Sequence, residues 1–413
     1  MSGPLAGLRV VELCSERGAW AGKLMADMGA DVMKVEPPGG DITRTFPPFL
    51  DDVAGPERSL YFWHYNTSKR GITLDLEAQD GRDDFRALVA RADFLIEDRD
   101  PGEMARLGLD FPDLEAGNPG LIYVSITPFG RDAPRANEPA TDLTIFGGGG
   151  PAWNNGYDDH SLPPVRGGGN QAYHTGSHFG FMAALVALLH RDRTGQGQHI
   201  DVNMHAAANV TTEAGSYTWL VANDTVQRQT GRHAGVRPSI PSQVICSDGR
   251  YVNTGVPPRR PDDFRRSYAW LEELGLLEEF HAAPLLLLGA ERERIDFSML
   301  AADEELQAIF GAGRDAMSFI AANLTAYEFF SGAQQRGFQV GIIYSPEEAM
   351  SDPQFVARGF PTEVEHPEHG RSFTYPGAPY KFEKSKWEIS RRAPLLGEHN
   401  EQVFAELPRK EHV

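Results

Sequence analysis

Short apolar runs alternate with amphipathic segments through the first 126 residues, and this alternation confines the chain to a parallel sheet crossed by helices. Residues 8–13, 31–36, 71–76, 92–97 and 121–126 read as strands, each dense in aliphatic and β-branched side chains. Residues 19–28 and 81–91 read as helices between them, the first closed by Gly29. A Pro-Pro-Gly-Gly turn at 37–40 separates the first cycle from the second. The expected architecture is α/β and Rossmann-like.

Beyond this region the pattern loosens. Residues 147–169 hold two glycine runs and Asn154-Asn155-Gly156, so they are expected to be largely loop. A helix over 176–191 and a strand over 198–202 follow. From about Gln227 short strands give way to acidic helices between Pro261 and Phe330, which suggests a smaller α+β domain. With 413 residues, two domains are expected: a large one over 1–220 with 388–413, and a small one over 228–380.

The formal charge of −19 argues against nucleic acid or an anionic membrane as partner, so a polyanionic ligand needs a local basic pocket. Cys14 and Cys246 are too few for a disulfide framework and fit a reducing cytoplasm. No secretion signal is expected at the N-terminus, and the longest apolar run, 179–189, is too short to span a bilayer.

The first strand-to-helix turn, Ser15-Glu16-Arg17-Gly18-Ala19, has one glycine and an acid where a pyrophosphate would sit, which speaks against a dinucleotide site. In Asn66-Thr67-Ser68-Lys69-Arg70-Gly71, two cations stand beside small donors, the makings of either a phosphate cradle or a solvated loop.

Taken with Leu5-Ala6-Gly7-Leu8-Arg9-Val10, Asp100-Pro101-Gly102-Glu103-Met104-Ala105-Arg106-Leu107-Gly108 and His190-Arg191-Asp192-Arg193-Thr194-Gly195, the sequence resembles the CaiB/BaiF family of class III CoA-transferases. The likeness continues in Gly29-Ala30-Asp31-Val32, Ser345-Pro346-Glu347-Glu348, Pro376-Gly377-Ala378-Pro379 and Pro394-Leu395-Leu396-Gly397-Glu398.

The resemblance implies an interlocked homodimer, a Rossmann-like large domain, and a CoA thioester as substrate with no tightly bound cofactor. It places the nucleotide end near Lys69, Arg70 and Arg106, with Arg44 as a further phosphate contact or a lone exposed arginine. The resemblance also puts Asp98 among the CoA-binding residues: where the family usually has Glu-Asn before the Pro-Gly turn, this chain has Glu97-Asp98, and the extra carboxylate either lies near CoA or pairs with Arg99 or Arg106.

In the family's transferases an aspartate attacks the thioester and then carries CoA itself. A carboxylate is needed because only an acyl group on the enzyme can hold CoA as a thioester. Ungapped matching from Pro163 to Arg191 puts Tyr173 at that position. The racemase branch's histidine, which precedes the aspartate matching Asp142, is Thr141 here.

The candidate catalytic residues are therefore Tyr173, His174 and Asp142, with Thr175 and Ser177 as helix caps. Asp142 is equally readable as a loop cap. Asp158 and Asp159 read as turn residues, Glu213 as a polar face, and His366 and His369 as surface with no third metal ligand nearby in sequence. Residues 231–238 fall where the family has a loop over the thioester. Three functions stay open: CoA transfer between carboxylic acids, enolate chemistry on an acyl-CoA (isomerase, epimerase or dehydratase), and a non-catalytic CoA-binding subunit of a heteromer.

Overall fold

The computed structural model describes residues 2–236, 242–300 and 302–407. They form two compact units, one of residues 2–153, 165–216 and 350–407, the other of 154–164 and 217–349.

The larger unit is built on a six-stranded parallel sheet: β1 (Arg9–Leu13), β2 (Asp31–Glu36), β3 (Arg70–Thr73), β4 (Phe94–Glu97), β5 (Ile122–Thr127) and β6 (Gln198–Asn203). Their spatial order is β3-β2-β1-β4-β5-β6. Both faces are covered, as the near-continuous apolar strands require. On one face Val10, Val32, Phe94, Ile96 and Val124 pack against helices α1 (Ala19–Asp27) and, further along the chain, Gln171–Thr194. On the other, Val11, Leu13, Met33, Val35 and Leu95 meet Phe85, Leu88 and Val89. These three residues form the apolar stripe of the helix Gln79–Val89.

The strands break the apolar pattern at Glu12 and Lys34, both fully buried. Glu12 Oε2 lies 2.6 Å from Lys69 Nζ, and its other oxygen 3.7 Å from Lys34 Nζ. The Lys69 ammonium also donates to Ala19 O and Asn66 Oδ1, each at 3.0 Å. Helix α1 passes so close that a Cβ at Gly22 would overlap Glu12 Oε2, which is why this helix carries glycine there.

The cations expected to meet phosphates are committed elsewhere. All three Lys69 donors are used inside the core, and burial pulls its pKa down against the pull of Glu12. Arg44 is 1% exposed rather than a lone surface arginine: its guanidinium grips both Glu36 oxygens at 2.6 and 2.8 Å and stacks 3.8 Å over the Phe62 ring. Arg70 ties Asp31 to Glu406 of the C-terminal segment at 2.8 and 2.7 Å.

The smaller unit contains a three-stranded antiparallel sheet, Gly341–Ile342, Tyr251–Asn253 and Gln243–Ile245. Its helices Pro261–Glu273, Ala283–Glu291, Glu304–Asn323 and Ala326–Gln335 enclose Phe264, Trp270, Leu286, Ile309 and Phe329. The hairpin Pro361–His366 and Arg371–Pro376, expected in this unit, sits in the larger one. There its Val364 and Tyr375 pack with Leu50, Phe62 and Trp63.

Two local expectations also change. The long helix starts at Gln171, a turn earlier than expected, so Thr175 and Ser177 lie inside it; Thr175 Oγ1 bonds back to Gln171 O at 2.7 Å. The glycine-rich region is entered by a helix, Asp142–Gly148, and holds a 3₁₀ turn at Pro151–Asn154. No helix among the described residues is long and apolar enough to cross a membrane.

Replacing Lys69 by alanine leaves Glu12 buried with only the more distant Lys34, and is expected to cost about 3–5 kcal/mol in urea unfolding. A phosphate-binding lysine would instead leave stability near wild type and weaken only CoA binding.

Candidate active site

At the centre of the sheet β1 and β4 are neighbours, but the chain leaves them in opposite directions, β1 toward β2 and β4 toward β5. In an open parallel sheet such diverging connections mark the usual ligand position, a crevice at the carboxyl ends of these strands.

The turn after β1 is shaped by Asp98, the residue after β4. Its Oδ2 accepts N–H bonds from Ser15 at 2.8 Å, Arg17 at 3.2 Å and Gly18 at 3.0 Å. Burial pushes the Asp98 carboxyl up to about 6, with Arg99 and the backbone donors pulling the other way. Asp98 is thus a backbone anchor and not the hydrogen-bonded partner of Arg99 or Arg106. Arg99 lies 3.6 Å from Glu103, and Arg106 forms an exposed fork with Glu77 at 2.6 and 3.0 Å.

The anchored turn presents Glu16 to the first turn of helix α2 (Gln171–Thr194). Tyr173 OH stands 3.5 Å from Glu16 Oε1, and Ser177 Oγ donates to Arg17 O at 2.9 Å. Tyr173 is 3% exposed; burial, reinforced by Glu16, raises its phenol to about 12, so at neutral pH it is a proton donor. Burial raises the Glu16 carboxyl as well, opposed by Arg17 and the Tyr173 hydrogen bond.

Asp142 caps α2 from outside. Its Oδ1 accepts from Ala172 N at 2.8 Å and Tyr173 N at 3.1 Å, while Oδ2 pairs with Arg166 at 2.6 Å. Two of the helix's orphan donors are satisfied this way, and both carboxylate oxygens are occupied. Asp142 therefore positions the first turn that carries Tyr173.

His174 faces an aromatic group. Its Nε2 lies 2.7 Å from Tyr65 OH, and its ring stacks on Trp20 at 4.8 Å between centroids. Burial lowers its pKa, with His178 adding to the effect, so the imidazole is neutral at pH 7. Trp20 also stacks on His64, which burial drives down to about 3, and its indole N–H reaches His178 Nε2 at 3.3 Å. Asn170 Nδ2 donates to Tyr61 OH at 2.7 Å beside Tyr65.

The structure thus brings Tyr173, His174 and Asp142 together and leaves Lys69, Arg70, Arg44 and Arg106 paired with carboxylates. Glu16, Trp20, Tyr61, Tyr65 and His178 join the site without having been singled out for it. The i, i+4 spacings Tyr61/Tyr65 and His174/His178 were the legible signal.

Asp158 and Asp159 are exposed, the latter holding Ser161 at 2.9 Å, and Glu213 is exposed. His366 is buried rather than on the surface. A third ligand type does stand near it, since candidate atoms of His366, Glu368 and His369 lie within 4.8 Å of one another. Those atoms are largely spoken for: His366 bonds Tyr375 OH at 3.0 Å and Glu368 at 3.2 Å, and Glu368 takes Arg392 Nε at 2.8 Å. In the segment 231–238, Arg232–Gly235 is a strand, and Arg237 and Pro238 lie outside the described residues.

A parallel sheet of order 3-2-1-4-5-6, with polar and aromatic side chains grouped beside its switch point, defines a Rossmann-type α/β protein. The family model described as CoA-transferase family III matches residues 5–400, and the chain belongs to that family. It is 32% identical to the succinyl-CoA:(R)-benzylsuccinate CoA-transferase subunit BbsE of Thauera aromatica, over 96% of this chain and 93% of that protein. It is 31% identical to a succinate–glutarate CoA-transferase of Agrobacterium fabrum, over 98% of this chain and 96% of that protein. Among solved structures, a CAIB/BAIF family protein from Brucella suis superimposes with a TM-score of 0.79 at 30% identity, covering 99% of this chain and 100% of that one.

Asp98→Ala is expected to cost at least about 2 kcal/mol by stranding the turn's N–H groups, whereas Asp98→Asn keeps an acceptor. The sign with pH follows from the raised pKa. Proton-linked stability from Asp98 is fully present below the unfolded carboxyl value and lost as pH rises through about 6. Denaturant unfolding should show Asp98→Asn gaining on wild type, by on the order of 2 kcal/mol, between pH 4 and 7.

Proposed function

We propose that this protein moves CoA between carboxylic acids, working in the cytoplasm as one half of an interlocked dimer of family III chains. The observation that carries the proposal is the family match across residues 5–400, over a fold whose switch-point crevice gathers Glu16, Tyr173 and His174. The names of the two relatives support a succinyl donor and a dicarboxylic acceptor. CoA enters as substrate, with no tightly bound cofactor. Of the four cations considered for its phosphates, Arg106 has an exposed ion pair that opens at small cost, so it is the proposed phosphate contact.

His174, neutral and so in its basic form, has its Nε2 engaged by the Tyr65 hydroxyl and its ring stacked on Trp20, and that engagement suits lining a site more than removing a proton next to a thioester carbonyl. Transfer is favoured over enolate chemistry on that ground. A second reading has its own support: with Tyr173 at the position of the family's aspartate, and a relative named as a subunit, the chain is proposed alternatively as the companion in a heteromer.

Incubation with succinyl-CoA and glutarate or benzylsuccinate, followed by mass spectrometry of the thioesters, separates the readings. Transfer predicts a new acyl-CoA and an equal amount of succinate from this chain alone. Exchange only after adding a second family III chain selects the companion role. Solvent deuterium at the α-carbon without exchange selects enolate chemistry.

A further inference from the structure

Exchange of CoA between two carboxylic acids through the enzyme needs a protein carboxylate, because neither a phenol nor an imidazole can hold CoA as an acyl thioester. The carboxylates around the crevice are nearly all committed. Glu12 is locked between Lys69 and Lys34, and Asp98 holds three N–H groups. Asp142 caps α2 and pairs with Arg166, and Asp41 bonds Thr43 N at 2.9 Å. Glu97 accepts from Arg99 N at 2.7 Å.

Glu16 differs from all of these. It sits at the tip of the β1–α1 turn at the switch point, half-buried, and among the described residues its hydrogen-bond partner is the Tyr173 hydroxyl, at 3.5 Å. The backbone under it is fixed on both sides, by Asp98 through Ser15 and Arg17 N, and by Ser177 through Arg17 O. A fixed backbone under a carboxylate that is otherwise unclaimed is what a nucleophile requires.

We propose that Glu16 is the carboxylate that carries first the acyl group and then CoA, a role that presupposes the transfer activity proposed above. A Glu16 oxygen attacks the thioester carbonyl, the C–S bond breaks and CoA leaves as thiolate, giving a glutamyl-acyl anhydride. The thiolate attacks the glutamyl carbonyl, releasing the donor acid as its carboxylate and leaving a glutamyl-CoA thioester. The acceptor carboxylate reverses the two steps, so each bond broken is matched by one formed and no oxidant or net proton is consumed. Tyr173, kept protonated by burial, donates to the carboxylate in the resting state and to the oxyanion as the carbonyl is attacked. Burial makes the Glu16 carboxylate more basic than an exposed one, and with that more nucleophilic.

The test is incubation of the full chain with succinyl-CoA, trapping with hydroxylamine, and peptide mass mapping, alongside exchange into glutarate. The expected result is a hydroxamate on Glu16 that is absent in Glu16→Gln. That variant should unfold in urea like wild type, yet lose exchange by about 1000-fold or more. Tyr173→Phe should keep the Glu16 adduct while exchange falls about 100-fold. Wild-type exchange should fall on acidification through a carboxyl titration above the ordinary 4.5. A hydroxamate on another carboxylate, or Glu16→Gln retaining a tenth of the exchange, overturns the assignment and leaves the transfer activity standing. Wild type showing neither exchange nor adduct overturns both.

Discussion

One carboxylate oxygen, Asp98 Oδ2, receives three backbone N–H bonds from the turn that follows β1, and the geometry of the crevice depends on it. The parallel pairing of β1 with β4 brings the two loops side by side, with Leu13 opposite Glu97. Once they meet, the turn would otherwise bury donors without acceptors. Asp98 removes that penalty and in doing so fixes where Glu16 and Arg17 point. The fit is tight: a Cβ at Gly18 would come 2.6 Å from Cys14 Sγ and 3.3 Å from Asp98 Cβ, so only glycine fits there. The cost is a charged group in a desolvated place, visible as a carboxyl raised to about 6.

The same logic governs the polar groups beneath the turn. Glu12, Lys34 and Lys69 are costly to take out of water; the two ammoniums donate to backbone oxygens and pair with Glu12, whose own buried oxygens are held by these ion pairs and not by well-formed hydrogen bonds. Such a network is weak as a source of stability but strict about geometry, since α1 must present Gly22 rather than any larger residue to Glu12. Arg44 and Arg70 act likewise at the edges of β2 and β3, joining strands to the segments around Pro394 and Glu406. These cations hold the chain's late residues onto its first hundred.

The strands of the sheet were legible because burial on both faces leaves apolar runs that a sequence displays directly, as in β5, where every residue is buried. The start of α2 was not, because its cap comes from Asp142, 30 residues upstream of Ala172, and no local pattern announces a cap supplied from elsewhere. Lys69 and Arg70 show the same limit from the other side: the charges are plain in the sequence, but the carboxylates that neutralise them stand 57 and 39 positions away, at Glu12 and Asp31. Tyr173 and His174 were found through a family likeness, and Tyr173 meets Glu16 across 157 residues. In the sequence Glu16 had counted only as an acid that repels a phosphate. The turn's shape, set by Asp98, is what gives it a place in the site.

Transfer through Glu16 requires the thioester end of CoA to lie in the crevice between β1 and β4. A crystal structure of the protein with bound CoA tests it most directly. The CoA sulfur is expected within about 4 Å of the Glu16 carboxylate and the Tyr173 hydroxyl, close enough for attack once an acyl group is present. A CoA whose sulfur lies in another cleft, with Glu16 untouched by it, would rule out this placement of the reaction.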